Sequence, residues 1–161
     1  MGIAILSLTE ATSTKATTTI STPALTHVFT AKLTVGRPLD PIPLLEGGSR
    51  TIEPLINGTI SGPYLNGTVK TGFAAPITVS GTDNTTVQIP QIYVYGVMSD
   101  GLPFHIQESG IGPVAGQSTR IILEVGGKYK TLQSMYILAQ RTINAARTVV
   151  TVDGFSVAPP V

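Results

Sequence analysis

The chain has 161 residues, a formal net charge of +1 and no cysteine. Such a length supports one domain with its own core, and the missing cysteines exclude a disulfide scaffold and a thiolate metal site. Ten basic residues without a cluster argue against a nucleic-acid partner, while two histidines and nine carboxylates, with no HExxH and no Asp-rich calcium loop, give no reason to expect a metal or cofactor.

The chain opens on Met1-Gly2-Ile3-Ala4-Ile5-Leu6-Ser7-Leu8. This run is apolar, but too short for a complete signal peptide and without a basic flank. Leu6 stands where myristoylation needs Ser or Thr. Residues 9–26 are rich in Thr and poor in core-forming side chains. Residues 1–26 are therefore read as an extended arm, with Ile3, Ile5 and Leu8 as anchors, and 27–161 as a single barrel domain.

From His27 the alternation is regular. His27, Phe29, Ala31, Leu33 and Val35 share one face, opposite Thr30, Lys32 and Thr34. A loop with Pro38, Pro41, Pro43 and Gly47-Gly48 follows. The next segment, from Arg50 to Gly72, is β-branched and alternating, and it is punctuated by Asn57-Gly58, Gly62-Pro63 and Asn66-Gly67. Helices do not tolerate that density of glycine, proline and β-branched residues. Strands are expected near 50–61, 64–71, 73–80, 86–98, 103–109, 119–125, 129–140 and 147–157, with a turn at Asp100-Gly101 and a flexible loop through Gly110, Gly112, Pro113 and Gly116. Between Thr131 and Arg147 the spacing of Leu132, Met135, Tyr136 and Ala139 admits a short helix, but a strand agrees better with the β neighbours.

About eight to ten strands at hairpin spacing, without crossover helices, predict an all-β chain. The expected architecture is a closed antiparallel up-and-down barrel, lipocalin-like in shape, with a sandwich as the second arrangement. A barrel of about eight strands has room for one small ligand. Aromatics are 6% and Trp is absent, so the interfacial girdles of a membrane barrel are missing. No apolar run approaches the roughly 18 residues of a spanning helix. The chain is thus not expected to span a membrane.

Charged residues are 12% of the chain, about half the usual share, and Thr and Ser supply the polarity instead. That balance suits a secreted or oligomeric β protein. Passage through the secretory route, with the cytoplasm as the other compartment, and a homo-oligomer, most simply a dimer, are the corresponding expectations. Asn57-Gly58-Thr59, Asn66-Gly67-Thr68 and Asn84-Thr85-Thr86 are glycosylation sequons. Asn84, in a polar loop, is the best placed of them. The frequency of Thr and the turn-forming habit of Asn-Gly provide a second reading.

The early His27-Val28-Phe29 strand, the Gly47-Gly48-Ser49-Arg50 turn and the run from Asn57 to Val69 through Gly62-Pro63-Tyr64-Leu65-Asn66-Gly67 form one pattern. It continues in Ser99-Asp100-Gly101 and in Tyr136-Ile137-Leu138-Ala139-Gln140-Arg141. Over about 27–157 the chain resembles the small β-barrels of domain-of-unknown-function family 3237, the UPF0311-like proteins. The family usually continues with Gly-Gly-Ala-Asp-Trp. Here the run is Gly72-Phe73-Ala74-Ala75-Pro76, and Tyr93 stands where relatives often carry Arg. The resemblance implies a site remodelled toward apolar and aromatic groups. Some fungal relatives look like cofactor-free natural-product cyclases, including hetero-Diels–Alder enzymes that join a quinone methide to a terpene olefin. Fold alone never establishes chemistry.

Arg50, after two glycines, could hold a carbonyl, phenolate or carboxylate oxygen at a barrel mouth, or tie its loop to strand carbonyls. Tyr93 and Tyr95 share a strand face and could form a stacking wall whose hydroxyls donate to an oxyanion, or pack as core or interface. Tyr64, Phe73 and Phe29 are further aromatic candidates. His105 and His27 could assist loss of water from a benzylic alcohol, although a lone histidine is commonly structural. Arg141 and Arg147 could cap the pocket or lie on the surface. Arg50, Tyr95 and His105 are the catalytic candidates, and His27, Phe29, Tyr64, Phe73, Tyr93 and Arg141 the substrate-binding ones. Glu53 and Glu108 are single carboxylates without an evident role.

Three functions follow. The first is a cofactor-free cyclase or isomerase, which needs a shaped apolar cavity and one or two donors. The second is a non-catalytic binder of a hydrophobic small molecule. The third is a structural β protein whose barrel is filled by its own side chains.

Overall fold

A computed structural model of the chain describes residues 22–81, 83 and 85–158. Most of the expected arm, and Asn84, lie outside the described residues. The first strand, β1 (Leu25–Val35), begins two residues before His27. Two short strands follow, β2 (Ile42–Pro43) and β3 (Ser49–Arg50). Next come β4 (Glu53–Ser61), β5 (Gly67–Ala74), β6 (Ile77–Ser80) and β7 (Thr86–Ile89). The chain continues through β8 (Gln91–Met98), β9 (Pro103–Pro113) and β10 (Ser118–Val125). A 3₁₀ segment at Gly127–Ser134 leads into β11 (Ile137–Ile143), and β12 (Val149–Val157) ends the fold.

Eight strands close into an up-and-down barrel. β1, β4, β5, β8, β9, β10, β11 and β12 pair in that order, each antiparallel to the next, and β12 returns to β1. Closure leaves the eight strands no free edge. β2, β3, β6 and β7 form a small flap, attached where β7 pairs with the far end of β9 (Val87↔Pro113). Proline explains part of this division. Pro90 interrupts the expected 86–98 strand, and Ala75-Pro76 separates β5 from β6. Each break lets the chain leave the barrel for the flap.

The interior follows the period of two. On β10, Thr119, Ile121, Leu123 and Val125 are buried while their neighbours are exposed. On β8 the inward set is Ile92, Val94, Gly96 and Met98. The side chains of Phe29, Leu33, Ile60, Val69, Phe104 and Ile106 help fill the bore. What remains inside is a cavity of about 20 Å³, roughly the space of one water. The ligand-sized chamber expected of an eight-stranded barrel is therefore occupied by the chain itself.

One end of the barrel is plugged. Leu65 is fully buried there, and the 3₁₀ segment places Tyr129 and Leu132 into the core. Ser99 Oγ and Tyr129 Oη lie 2.7 Å apart, and Gln133 Nε2 donates to the Val125 carbonyl at 2.6 Å. This segment corrects the strand expected at 129–140. Tyr129 and Leu132, three residues apart, need a turn of helix to reach the same side. The opposite end is open.

Candidate functional site at the open end of the barrel

The open end is ringed by the last residues of β11, the first of β12 and β4, and the flap. A pocket of about 340 Å³ lies there, lined by Arg141, Arg147, Glu53 and Gln88, with Val114, Ile143, Val150 and Pro76 among its apolar walls. A second depression of about 340 Å³ adjoins it and shares Glu53, Ile143 and Arg147. Pro76 contributes to the pocket wall, and the adjacent Ala75 is buried.

Arg141 is half-buried on β11. Its Nη2 donates to Gln88 Oε1 at 2.9 Å, and the same oxygen accepts from Gln117 Nε2 at 2.8 Å. Gln88 sits on the flap strand β7, so this shared acceptor ties the flap to the barrel wall and fixes the guanidinium. Among the described residues, no carboxylate oxygen lies within 4.0 Å of Arg141. Burial pushes the guanidinium below its ordinary value; Glu108 and Glu53 pull it back up, and Arg147 adds to the depression. Gln117 Oε1 is the one fully buried side-chain polar atom without a partner among the described residues. Buried acceptors of this kind are uncommon.

Below Arg141 the wall stays polar for one further step. Thr119 pairs across the strands with Ala139 and Gly110, and Glu108 pairs with Ile121. Thr119 Oγ1 donates to Glu108 Oε1 at 2.6 Å and also approaches the Ala139 carbonyl at 3.3 Å. Glu108 is 4% exposed and faces the small internal cavity. Burial pushes its carboxyl above the ordinary range, against the opposing effects of the Thr119 hydrogen bond and of Arg141. Burial thus disfavours the ionised form of Glu108, while Thr119 and Arg141 favour it.

Of the residues proposed from the sequence as catalytic or substrate-binding, only Arg141 lines this pocket. Tyr93 and Tyr95 point outward, and Tyr95 is 53% exposed; Ile92 and Val94 take the inward face. Tyr93 lies instead in an external ridge between Phe73 (ring centroids 5.2 Å) and His105 (6.2 Å). His105 is on the outer surface and its Nδ1 meets Glu124 Oε2 at 2.9 Å. Phe73 and Tyr64 are exposed.

Arg50 does not reach the bore. Its Nη1 donates to Gln91 Oε1 at 2.7 Å and to the Ala75 carbonyl at 3.3 Å, so it ties flap to barrel, the structural role weighed for it above. A β-bulge between His27 and Phe29 breaks the face they were expected to share. Phe29 remains inside as core. His27 is half-exposed, with Nε2 3.1 Å from Thr30 Oγ1 and its ring edge-on to Phe155. Asn57 and Asn66 are exposed. Asn57 lies within β4, not in a turn, and Asn66 braces Gly62 across the β4–β5 turn.

The geometry defines a class: a small closed β-barrel with a plugged base, a filled bore and an arginine-bearing pocket at its mouth. The chain belongs to the DUF3237 family of proteins of unknown function, whose model matches residues 23–145. Similar solved structures have the same fold. One is a protein of unknown function from Clostridium acetobutylicum, with TM-score 0.72 and 19% identity over 87% of this chain and 100% of that one. A conserved protein of unknown function from Rhodopseudomonas palustris gives TM-score 0.71 and 20% identity over 86% and 99%. An enzyme from Penicillium herquei gives TM-score 0.66 and 20% identity over 90% and 100%. No curated protein matches the chain.

Proposed function

We propose that the protein is a cofactor-free enzyme of the cyclase or isomerase class, acting on a small, largely apolar molecule held at the barrel mouth. The observation that carries this reading is Arg141, a guanidinium fixed by Gln88 in an apolar-walled pocket, with no carboxylate in contact among the described residues. A donor so placed can hold a substrate oxygen that gains negative charge as a ring closes, and its site is already organised before the substrate arrives. The pocket walls hold the reacting carbons close to one another. The similar fold of an enzyme from Penicillium herquei supports a catalytic over a purely binding role.

A ring closure or isomerisation conserves mass. The test therefore incubates the protein with a panel of alkenyl phenols and enones, without added cofactor, and follows products of unchanged mass by chromatography. Turnover is expected in the wild type. R141A should lose it by at least about a hundredfold, the scale of a lost oxyanion donor, with its melting temperature little changed. Ligand-dependent thermal stabilisation without product would replace the enzyme with a binder. Neither product nor stabilisation would reject the enzyme reading.

A further inference from the structure

We infer that the mouth pocket takes an anionic ligand, a small organic carboxylate carrying an apolar ring, and that Arg147 is the second arm that grips it beside Arg141. The inference rests on the mouth pocket being the binding site proposed above, and it names the ligand chemistry that site selects.

The β11–β12 hairpin carries the first observation. Its tip is Asn144-Ala145-Ala146-Arg147-Thr148, between the pair Ile143↔Val150. Asn144 organises it: its Oδ1 accepts from the N–H groups of Thr148 (2.8 Å) and Val149 (2.9 Å), and its carbonyl accepts from Arg147 N–H at 2.9 Å. This arrangement drives Arg147 into the left-handed region, at φ +54°. It is the only non-glycine residue there among those described. Gly47, Gly48, Gly101 and Gly127 fill the other positive-φ positions. A side chain in this region strains the backbone, and such strain concentrates at ligand clamps. A hairpin of this type takes glycine by default.

The second observation is where the strained residue sits. Arg147 lines both mouth depressions. The charged residues lining the main pocket are Arg141, Arg147 and Glu53, two cations against one carboxylate. Arg141 and Arg147 line the same pocket, so an anion placed between them is attracted by both guanidinium groups. A carboxylate satisfies both, since guanidinium groups match its two oxygens in plane. The apolar wall of Val114, Ile143 and Val150 then receives a ring.

The probes are 1-naphthoate and its neutral counterpart 1-naphthamide, titrated by NMR into wild type, R141A, R147K and R147G. Wild type should bind naphthoate about tenfold tighter than naphthamide, and added salt should erode the difference. R147G should lose about tenfold in naphthoate affinity, with naphthamide affinity held within about twofold. Its melting temperature without ligand should not fall, because glycine is at ease at φ +54°. R147K should retain part of the preference. Equal binding of naphthoate by R147G and wild type, or no preference in wild type, would overturn the inference. If naphthamide still perturbs the pocket and R141A abolishes that, the mouth site stands and only the anionic assignment falls. If neither probe shifts a mouth resonance in wild type, both fall.

Discussion

Glu108 shows how one buried group can set the character of a site it does not line. It continues the inward series of Phe104 and Ile106, where an apolar residue would satisfy the pattern. Its carboxyl is held by Thr119 and raised above the ordinary range by burial. In the unfolded chain the group ionises at its ordinary value. Above that pH the folded state holds the proton longer, binds more protons than the unfolded state, and loses stability as pH rises. E108Q keeps the acceptor for Thr119 and removes the ionisation. The melting temperature of wild type minus that of E108Q should therefore fall as pH is raised above the ordinary carboxylate range, and level off once the folded-state carboxyl has ionised. A difference that is flat or grows with pH would mean that Arg141 holds Glu108 ionised, and the mouth would then carry its own counter-charge.

The strands meet so closely that glycine decides whether the barrel closes. A Cβ at Gly96 would stand 2.0 Å from the Thr68 carbonyl oxygen and 2.9 Å from Phe104 Cε1. The obstacle is the backbone of β5, which cannot swing aside as a side chain can. G96A should cost about 3 kcal/mol in urea unfolding, the upper end of overpacking. At Gly101, in the β8–β9 turn, nothing lies within 4 Å and only φ +87° resists a side chain. G101A should cost about 1 kcal/mol. If G96A costs no more than G101A, β5 and β8 do not approach as described.

The same local detail explains what could be read before the fold was seen. The alternation on β8 and β10 and the turn at Asp100-Gly101 predicted the barrel and most of its strands. The phase of that alternation decides which face meets the bore, and on two strands the pattern alone does not give it. On β8, tyrosines and β-branched residues are equally good strand formers, so the inward face is fixed only by closure with β5 and β9. On β1 one inserted residue at the bulge moved His27 to the outside while Phe29 stayed in. The flap could not be anticipated, because β2 and β3 are two residues each and have no periodicity. Glu108 and Thr119 did carry a signal, since each is the polar member of an otherwise apolar inward series. Gln88 and Gln117 carried none: they meet across the flap–barrel junction, 29 positions apart in the chain.

Taken as one object, the barrel separates two tasks that a hollow barrel would combine. Its bore is packing, reduced to about 20 Å³ and closed below by Tyr129, Leu132 and Leu65. Its recognition surface is the rim, where the flap and the β11–β12 hairpin bring Arg141 and Arg147 to a pocket of about 340 Å³. Binding at the rim and packing of the bore should then be independent. Val69 faces the internal cavity and pairs with Gly58 and Gly96, away from the rim pocket, and V69I adds one methylene there. Its effect on stability should stay within about 1 kcal/mol in either direction, as the gain in contact and the crowding offset each other. Affinity for a mouth ligand such as 1-naphthoate should change by less than about twofold, since sites without shared partners add independently. A guest lodged in the bore would instead compete with the new methylene directly, and its affinity would drop by about tenfold or more for each part it displaced. A large loss of affinity in V69I at unchanged stability would therefore move the site from the rim into the barrel, and with it the roles assigned to Arg141 and Arg147.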